Sequence, residues 1–453
     1  MTTPTRKIDA AGLPLTRRRA LQGAGIAGLA AAFASLPFTR PARADDITLR
    51  WWSPQSAPAQ LAAYKFQIAA FEAANPGVKV VFEPTSDETY PAQMAAAFAS
   101  GQVPDIVTHI PSFSVASYYA KGLVEPFDDV IKAIGPEKYY EGANKTYEAG
   151  DGHFTGTGIG NTAADNLWVR KDLMAKASID KIPETWDELR SAAQKMQGGG
   201  IYGVPLPFAK NSATSFVVTT LIHGAGGELF TPDLQVAIDS DATVNALEFY
   251  KSLRELAPPG ATSYSWGEMI TAFVSGATAT GYYAGRVLVN VNKQNPAIAD
   301  FITCAQYPTI SDKVAKSTIN DFPSVFIPKG TKNLETAKKF AAFLFVPDGY
   351  IKQLLAAPGH ILPVLRTIAE DPAYTSDPII KKYPKEVELM TVNAAKGYNM
   401  GFESPAHKPN TKSVDIIASD VLSEMVQRVT LNNENTKAVV GDTAKKLEAI
   451  MKS

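Results

Sequence analysis

The sequence predicts an α/β protein of two lobes, and three observations carry the prediction. The chain has 453 residues, more than one hydrophobic core usually organises. Its first third alternates short strands with helices, each strand leaving through a short polar loop, which is the pattern of a parallel sheet covered by helices. A Gly-rich run, Gly156-Thr157-Gly158-Ile159-Gly160-Asn161-Thr162, separates this pattern from a helix-rich remainder. Its glycines are expected to lend backbone freedom where the chain crosses between lobes.

The elements follow in order. Residues 48–52 read as a strand left through Ser53-Pro54-Gln55-Ser56. A helix comes next, with Leu61, Tyr64, Ile68 and Phe71 on one face, ended by Asn75-Pro76-Gly77. Val78, Val80 and Phe82 alternate as a second strand; Thr85-Ser86-Asp87-Glu88 leaves it, and a helix over 90–100 is stopped by Gly101. Residues 104–109 make a third strand, left through Pro111-Ser112-Phe113, and the following helix ends at Gly122. In such sheets ligands sit beyond the C-terminal ends of the strands, so these loops should converge on one rim.

Past the Gly-rich run, Leu167-Trp168-Val169 is a short strand, followed by a helix to about 177. Thr185-Trp186-Asp187-Glu188 opens another helix through a capping box, Thr185 accepting from the Glu188 N–H while Glu188 reaches back. A strand is expected over 201–207, then helices over 212–225, 241–256 (Val244, Leu247 and Leu256 inward) and 266–274. A strand over 278–283 leaves through Ala284-Gly285-Arg286, and a strand over 322–328 returns to the first sheet. A helix over 334–345 and helical segments at 388–391, 414–428 and 436–450 complete the chain.

The N-terminus reads as an address. Arg17, Arg18 and Arg19 precede a weakly apolar run from Gly23 to Leu36, and Ala42-Arg43-Ala44 supplies a cleavage site, so a signal peptide spanning 1–44 is expected to be removed after Ala44. Thr16-Arg17-Arg18-Arg19-Ala20-Leu21 resembles a twin-arginine export signal, with Ala20 and Gln22 where Phe and Lys are usual. Cleavage would remove seven basic residues and one acidic residue, moving the formal charge from −1 to about −7. A nucleic-acid partner is thereby disfavoured. Apolar residues at 45% and charged residues at 20% suit a water-soluble chain. The sole cysteine, Cys304, permits no internal disulfide and no lipid anchor at the mature N-terminus. A freely moving periplasmic monomer is the expectation.

Four pieces in the same order carry a family resemblance. Phe98-Ala99-Ser100-Gly101-Gln102-Val103-Pro104-Asp105-Ile106-Val107 is similar to an F-x-x-G-x-x-P-D-I/V segment. Leu167-Trp168-Val169-Arg170-Lys171-Asp172-Leu173 followed by Thr185-Trp186-Asp187-Glu188-Leu189 resembles L-Y-Y-N-K-D-L … T-W-D-E-L. Phe273-Val274-Ser275-Gly276-Ala277-Thr278-Ala279 and Gly359-His360-Ile361-Leu362-Pro363 resemble the later F-x-x-G-x-A-A/T-M and G-x-x-P elements, the last with one residue extra. The chain thus resembles the maltose-binding-protein-like solute-binding proteins of carbohydrate ABC transporters. The resemblance implies a two-lobed periplasmic-binding-protein fold of type II, with a ligand cleft between lobes joined by about three crossings. The crossings are expected near 161–164, 320–322 and 373–382. One lobe would comprise 45–163 plus 321–375, the other 164–320 plus 376–453. It also implies a sugar captured between the lobes and passed to permease subunits in the inner membrane, with no cofactor, no metal and no catalysis.

A sugar site needs aromatic planes for C–H faces and forked polar groups for hydroxyls. Trp51, Trp52, Trp168, Trp266, Tyr282 and Tyr283 supply possible planes. Of these, Trp168, Trp266 and Tyr283 join the candidate site. Ser53, Gln55 and Ser112 lie on strand-exit loops, and Asn211 precedes the helix starting near 212. His109 falls where the resemblance puts a stacking aromatic, and Asp87 or Glu88 where it puts a carboxylate; a solvated histidine and helix-terminal charges are the plainer readings. Arg286 departs from the family, which often has an aromatic there. Gly285 beside it offers bare backbone to a ligand, and the guanidinium suits a carboxylate, sulfonate or phosphate unless a neighbouring acid pairs with it.

Gly23-x-Gly25-x-x-Gly28 and Gly158-x-Gly160-x-x-Ala163 fit dinucleotide fingerprints, but no apolar strand precedes either. No H-E-x-x-H, G-x-S-x-G or P-loop occurs, and the five histidines are isolated in sequence. A secreted glycoside hydrolase using Asp87 or Glu88 stays open as an alternative, as does a receptor for a polyol or a glycerophosphodiester.

Overall fold

The computed structural model describes residues 47–86 and 89–453; the expected signal sequence, Asp87 and Glu88 lie outside the described residues. Eight strands occur among the described residues: β1 Ile47–Ser53, β2 Val78–Pro84, β3 Ile106–Pro111, β4 Thr157–Gly158, β5 Asn166–Arg170, β6 Thr280–Tyr283, β7 Ile302–Gln306 and β8 Pro323–Phe326. They form a five-stranded sheet in the order β2-β1-β3-β8-β4 and a three-stranded sheet in the order β6-β5-β7.

The first sheet is built as its sequence pattern requires. β1 pairs in parallel with β2 and β3, the crossovers running through helices Pro58–Ala74 and Tyr90–Ser100. The second helix stops at Gly101, whose φ of 68° only glycine adopts without cost. The first turns Tyr64 and Phe71 inward but leaves Leu61 and Ile68 half-buried; Gln60, Ala63 and Gln67 take the remaining inward places. Gln67 donates to the Leu344 carbonyl at 3.0 Å, which offsets part of its desolvation, its Oε1 having no partner among the described residues. β8 returns from far along the chain, as expected, and enters antiparallel between β3 and β4.

The second sheet is antiparallel, and β5 is its centre. Leu167 and Val169 face one hydrophobic core with helices Ser212–Gly224, Asp241–Ser252, Val421–Thr430 and Thr436–Lys452. Trp168 faces another, which runs on to Leu49 and Trp51 of the first sheet. Cys304 of β7 lies opposite Trp168, 6% exposed, and burial pushes its thiol pKa well up. The capping box at Thr185 forms, with Glu188 N–H to Thr185 Oγ1 at 3.4 Å and Thr185 N–H to Glu188 Oε2 at 3.1 Å.

Several expectations are corrected. Residues 201–207 form no ladder strand: Tyr202 makes a single bridge to Thr278, while the Gly203 and Val204 N–H groups both turn to the Leu256 carbonyl. Residues 414–428 divide into helices Ser413–Ala418 and Val421–Thr430 at Asp420, whose φ is 56°. The exit of β6 runs directly into an unanticipated helix, Arg286–Gln294. Finally, Gly156, Gly158 and Gly160 are absent from the positive-φ residues. A Cβ on Gly156 would stand 2.6 Å from the Val325 carbonyl oxygen, and one on Gly160 would stand 2.2 Å from Ile361 Cγ2. These glycines are needed for close chain approach rather than for unusual dihedrals.

Two of the expected crossings lie side by side and are clamped by Asn320. Its Oδ1 accepts from the Thr162 and Phe322 N–H groups at 2.9 Å each. Its Nδ2 donates to Asn161 Oδ1 at 2.7 Å and to the Ala394 carbonyl at 2.8 Å. Asn320 is fully buried, and Ala163 pairs with it through the backbone. Farther on, Val364 accepts from the Tyr140 N–H on the first-sheet side, whereas Tyr383 donates to the Ala299 carbonyl at 2.7 Å beside the second sheet.

Candidate functional site

The candidate residues fall into two groups. In the first, His109 lies within β3 in the left-handed region, φ 65°, where the pairing with β8 shifts register, and its ring is buried. Its Nε2 accepts from Gln353 Nε2–H at 3.1 Å, so its proton sits on Nδ1, 2.9 Å from Thr108 Oγ1 and 3.3 Å from Ser53 Oγ. Trp51 Nε1–H also donates to Thr108 Oγ1, at 2.9 Å. Burial lowers the His109 pKa to about 3, so the ring stays neutral. It lies 6.2 Å from the Tyr64 ring centre. The solvated-loop reading is thus overturned, and so is the open stacking plane: His109 is an interior polar link.

Ser53 belongs to the same network. It is wholly buried and accepts from the half-buried Gln55 N–H at 3.2 Å. Ser112 is 1% exposed, within 2.8 Å of Thr146 Oγ1, and accepts from Asn399 Nδ2–H at 3.0 Å. Asn399 sits beside Tyr398 and Met400, which pack in the second-sheet core, so this bond ties helix Ser112–Ala120 to that side. Ser53 and Ser112 brace the rim; their hydroxyls are spent on protein partners. Asp87 and Glu88, expected on the neighbouring loop, lie outside the described residues.

The second group gathers at the end of β6. Trp266, Tyr283 and Arg286 are each half-buried, and the Trp266 and Tyr283 rings meet edge to face at 5.8 Å. Trp266 Nε1–H donates to Ser212 Oγ at 3.3 Å. Asn211 caps helix Ser212–Gly224, accepting from the Thr214 N–H at 3.2 Å and donating to the Tyr264 carbonyl at 2.9 Å. Its side chain thereby fixes the segment that carries Trp266. Asn166 Nδ2 donates to the Ala163 carbonyl at 2.7 Å and to the Tyr283 carbonyl at 3.2 Å, binding this group to the first crossing.

Two members are corrected. Trp168 has no exposed surface: as the middle residue of the central strand it packs into the core that also holds Phe273, with its indole N–H on the Tyr283 carbonyl at 2.8 Å. It supports Tyr283 and offers no plane. Gly285 is buried, and a Cβ there would lie 1.8 Å from the Gly359 carbonyl oxygen; its bareness admits a second chain segment, not a ligand. Trp51 and Tyr282 are buried likewise, and Trp52 is occupied by Glu83 and Arg50. Among the described residues no hydrogen bond or ion pair engages the Arg286 side chain, so the neighbouring acid that would have explained it is absent.

Sequence reading passed over a buried acid. Asp165 is 1% exposed, accepts from Thr220 Oγ1 at 3.4 Å, and lies among Tyr282, Tyr307 and Tyr398. Burial raises its pKa to about 7. A carboxylate directly ahead of an apolar strand is the signal that could have found it. Tyr398 stacks on His223 at 3.9 Å, and His223 contacts Glu403 Oε2 at 2.9 Å, while Glu403 also accepts from the Leu229 and Phe230 N–H groups.

The profile of a family described as "Bacterial extracellular solute-binding protein" matches residues 54–351. The chain is 24% identical over 400 residues to the putative ABC transporter periplasmic-binding protein YcjN of Escherichia coli, covering 85% of this chain and 88% of that protein. Among solved structures it resembles maltose-bound MalE3 of T. maritima, with a TM-score of 0.74, 20% identity, and coverage of 89% of this chain and 100% of that one. A solute-binding protein of Agrobacterium radiobacter in complex with ribitol also gives a TM-score of 0.74 at 20% identity, covering 90% of this chain and 99% of that one. These likenesses show the fold: a type II periplasmic-binding-protein fold, two α/β lobes about a cleft.

Proposed function

Because the chain belongs to the bacterial extracellular solute-binding proteins, we propose that it captures a sugar or sugar derivative and delivers it to an ABC permease in the inner membrane. One observation carries this reading: half-exposed Trp266, Tyr283 and Arg286 gather at the end of β6, which Asn166 ties to Ala163 beside the segments that Asn320 clamps, read here as chain crossings. The rings supply planes for C–H faces, and the crossings supply the waist about which two lobes can close. The lobes are taken as 45–163 plus 321–375 and 164–320 plus 376–453. The signal-like leader supports the reading of a mature periplasmic protein, proposed to act as a monomer.

The reading is one of binding without turnover. A micromolar Kd corresponds to roughly −8 kcal/mol, within reach of a few ring contacts and forked hydrogen bonds after the cost of closure. Closure follows ligand only if the closed form binds it better than the open form. Small-angle scattering should therefore show compaction on adding a ligand found by thermal shift among mono-, di- and oligosaccharides and polyols. Saturable binding without compaction would sink the two-lobe mechanism. Release of product from any oligosaccharide by pure protein would favour a glycoside hydrolase instead.

A further inference from the structure

We infer that the solute carries an anionic group, a carboxylate, sulfonate or phosphate on a sugar or polyol, held by Arg286 with His360 beside it. The inference deepens the receptor reading and rests on it. A half-buried guanidinium is costly without a partner, and a protein that merely needed charge at the surface would leave it solvated or pair it with an acid. Each of Arg50, Arg170 and Arg428 has a carboxylate within 2.8 Å. Arg286 has no ion pair or hydrogen bond among the described residues, although it sits at the first turn of helix Arg286–Gln294, where no acidic side chain stands.

Neighbouring polar atoms are unspent as well. Gly285 packs against the Gly359 carbonyl, which brings His360 to Arg286. The Nδ1 of His360 is buried and has no partner. Burial first, and then the Arg286 charge, lower its pKa well below the ordinary value, so the ring is neutral and carries one N–H. Two residues on, Leu362 pairs with the backbone of Asn161, whose fully buried side-chain Nδ2 likewise has no partner. The short segment from Gly359 to Leu362 thus connects a free guanidinium, an unpaired imidazole nitrogen and an unpaired amide. An anion satisfies the guanidinium through two parallel bonds, and the imidazole N–H can add a third. A neutral sugar hydroxyl at this place would leave the charge uncompensated.

The test uses the mature protein and paired probes: galactose against galacturonate, glucose against glucose 6-phosphate, glycerol against glycerol 3-phosphate, and glucose against a 6-sulfonated glucose. Calorimetry should find the anionic member of at least one pair bound at least 100-fold more tightly than its neutral partner. The charged member that binds identifies the group. Arg286→Gln should weaken that member about 10- to 100-fold, the loss expected for a charge-assisted fork, with an unchanged unfolding midpoint. Arg286→Lys should restore part of the loss. Equal binding of neutral and anionic members, or undiminished anion binding by Arg286→Gln, overturns the inference and leaves the receptor reading intact. Binding of neutral oligosaccharides with no response to any anionic probe overturns it too. Failure of the receptor reading would instead show as no compaction with any bound probe.

Discussion

Replacing Asn320 by Ala removes the side chain that ties Asn161 and Thr162 to the segment around Phe322. Four hydrogen bonds of 2.7–2.9 Å disappear at once. What remains without a partner is two N–H donors, of Thr162 and Phe322, and one acceptor, Asn161 Oδ1, around a fully buried position, while the Ala394 carbonyl keeps the Gly397 N–H at 2.9 Å. Each stranded group costs about 1–3 kcal/mol, but neighbours relax together, and single substitutions rarely exceed about 5 kcal/mol. The expected loss is therefore about 3–5 kcal/mol, read from urea unfolding followed by tryptophan fluorescence at pH 7. Asn320→Asp separates the two halves of the clamp. It keeps the acceptor for Thr162 and Phe322 but sets a carboxylate against two oxygens, so it should recover stability as the carboxyl protonates in acid. A loss below about 1 kcal/mol for Asn320→Ala would refute the clamp.

Asp165 predicts an opposite pH response from ordinary paired acids. Its folded pKa of about 7 lies above the ordinary carboxyl value, so its contribution to stability falls as pH rises from about 4 to 7. Asp165→Asn should match the parent near pH 4 and exceed it by roughly 2–4 kcal/mol at pH 8, from about 1.4 kcal/mol per unit; equal midpoints at pH 8 would contradict the burial argument. For His109, the folded pKa of about 3 lies below the ordinary value, so stability is lost as pH falls from about 6.5 toward 3, because the unfolded chain takes up the proton first. His109→Gln should cost most at neutral pH, and its deficit should shrink steadily toward pH 4 in thermal scans. Gly285→Ala forces a Cβ to 1.8 Å from a backbone oxygen and should cost about 3 kcal/mol or more, whereas Gly267→Ala, an open helical position, should be neutral or stabilise by up to about 1 kcal/mol. Similar midpoints for the two would remove the packing argument.

The first sheet and the helix after Thr185 were legible because local patterns set them: alternating Val78, Val80 and Phe82, the Gly101 stop and the Thr185 capping box are all short-range signals. Where distant backbone decided the outcome, pattern failed. Residues 201–207 look like a strand, but the N–H groups of Gly203 and Val204 find Leu256 instead of a ladder partner. The glycines from 156 to 160 look like a flexible joint, yet Val325 and Ile361 press on them from more than 150 residues away. The candidate site divided the same way. Trp266, Tyr283 and Arg286 could be placed from their position at element ends, but whether Trp168 faced a cleft or a core depended on which face of β5 was covered. Asn320 and Asp165 carry no motif; their importance appears only when their partners, 158 and 55 positions apart, are brought within reach.

Cys304 gives the protein a built-in chemical clock. Its sulfur is sealed between Trp168 and the Glu386 side of the molecule, and its thiolate form is strongly suppressed. A maleimide or disulfide reagent must therefore wait until the core around Cys304 opens. With one thiol in the whole sequence, the modification rate reports such openings without any engineered label.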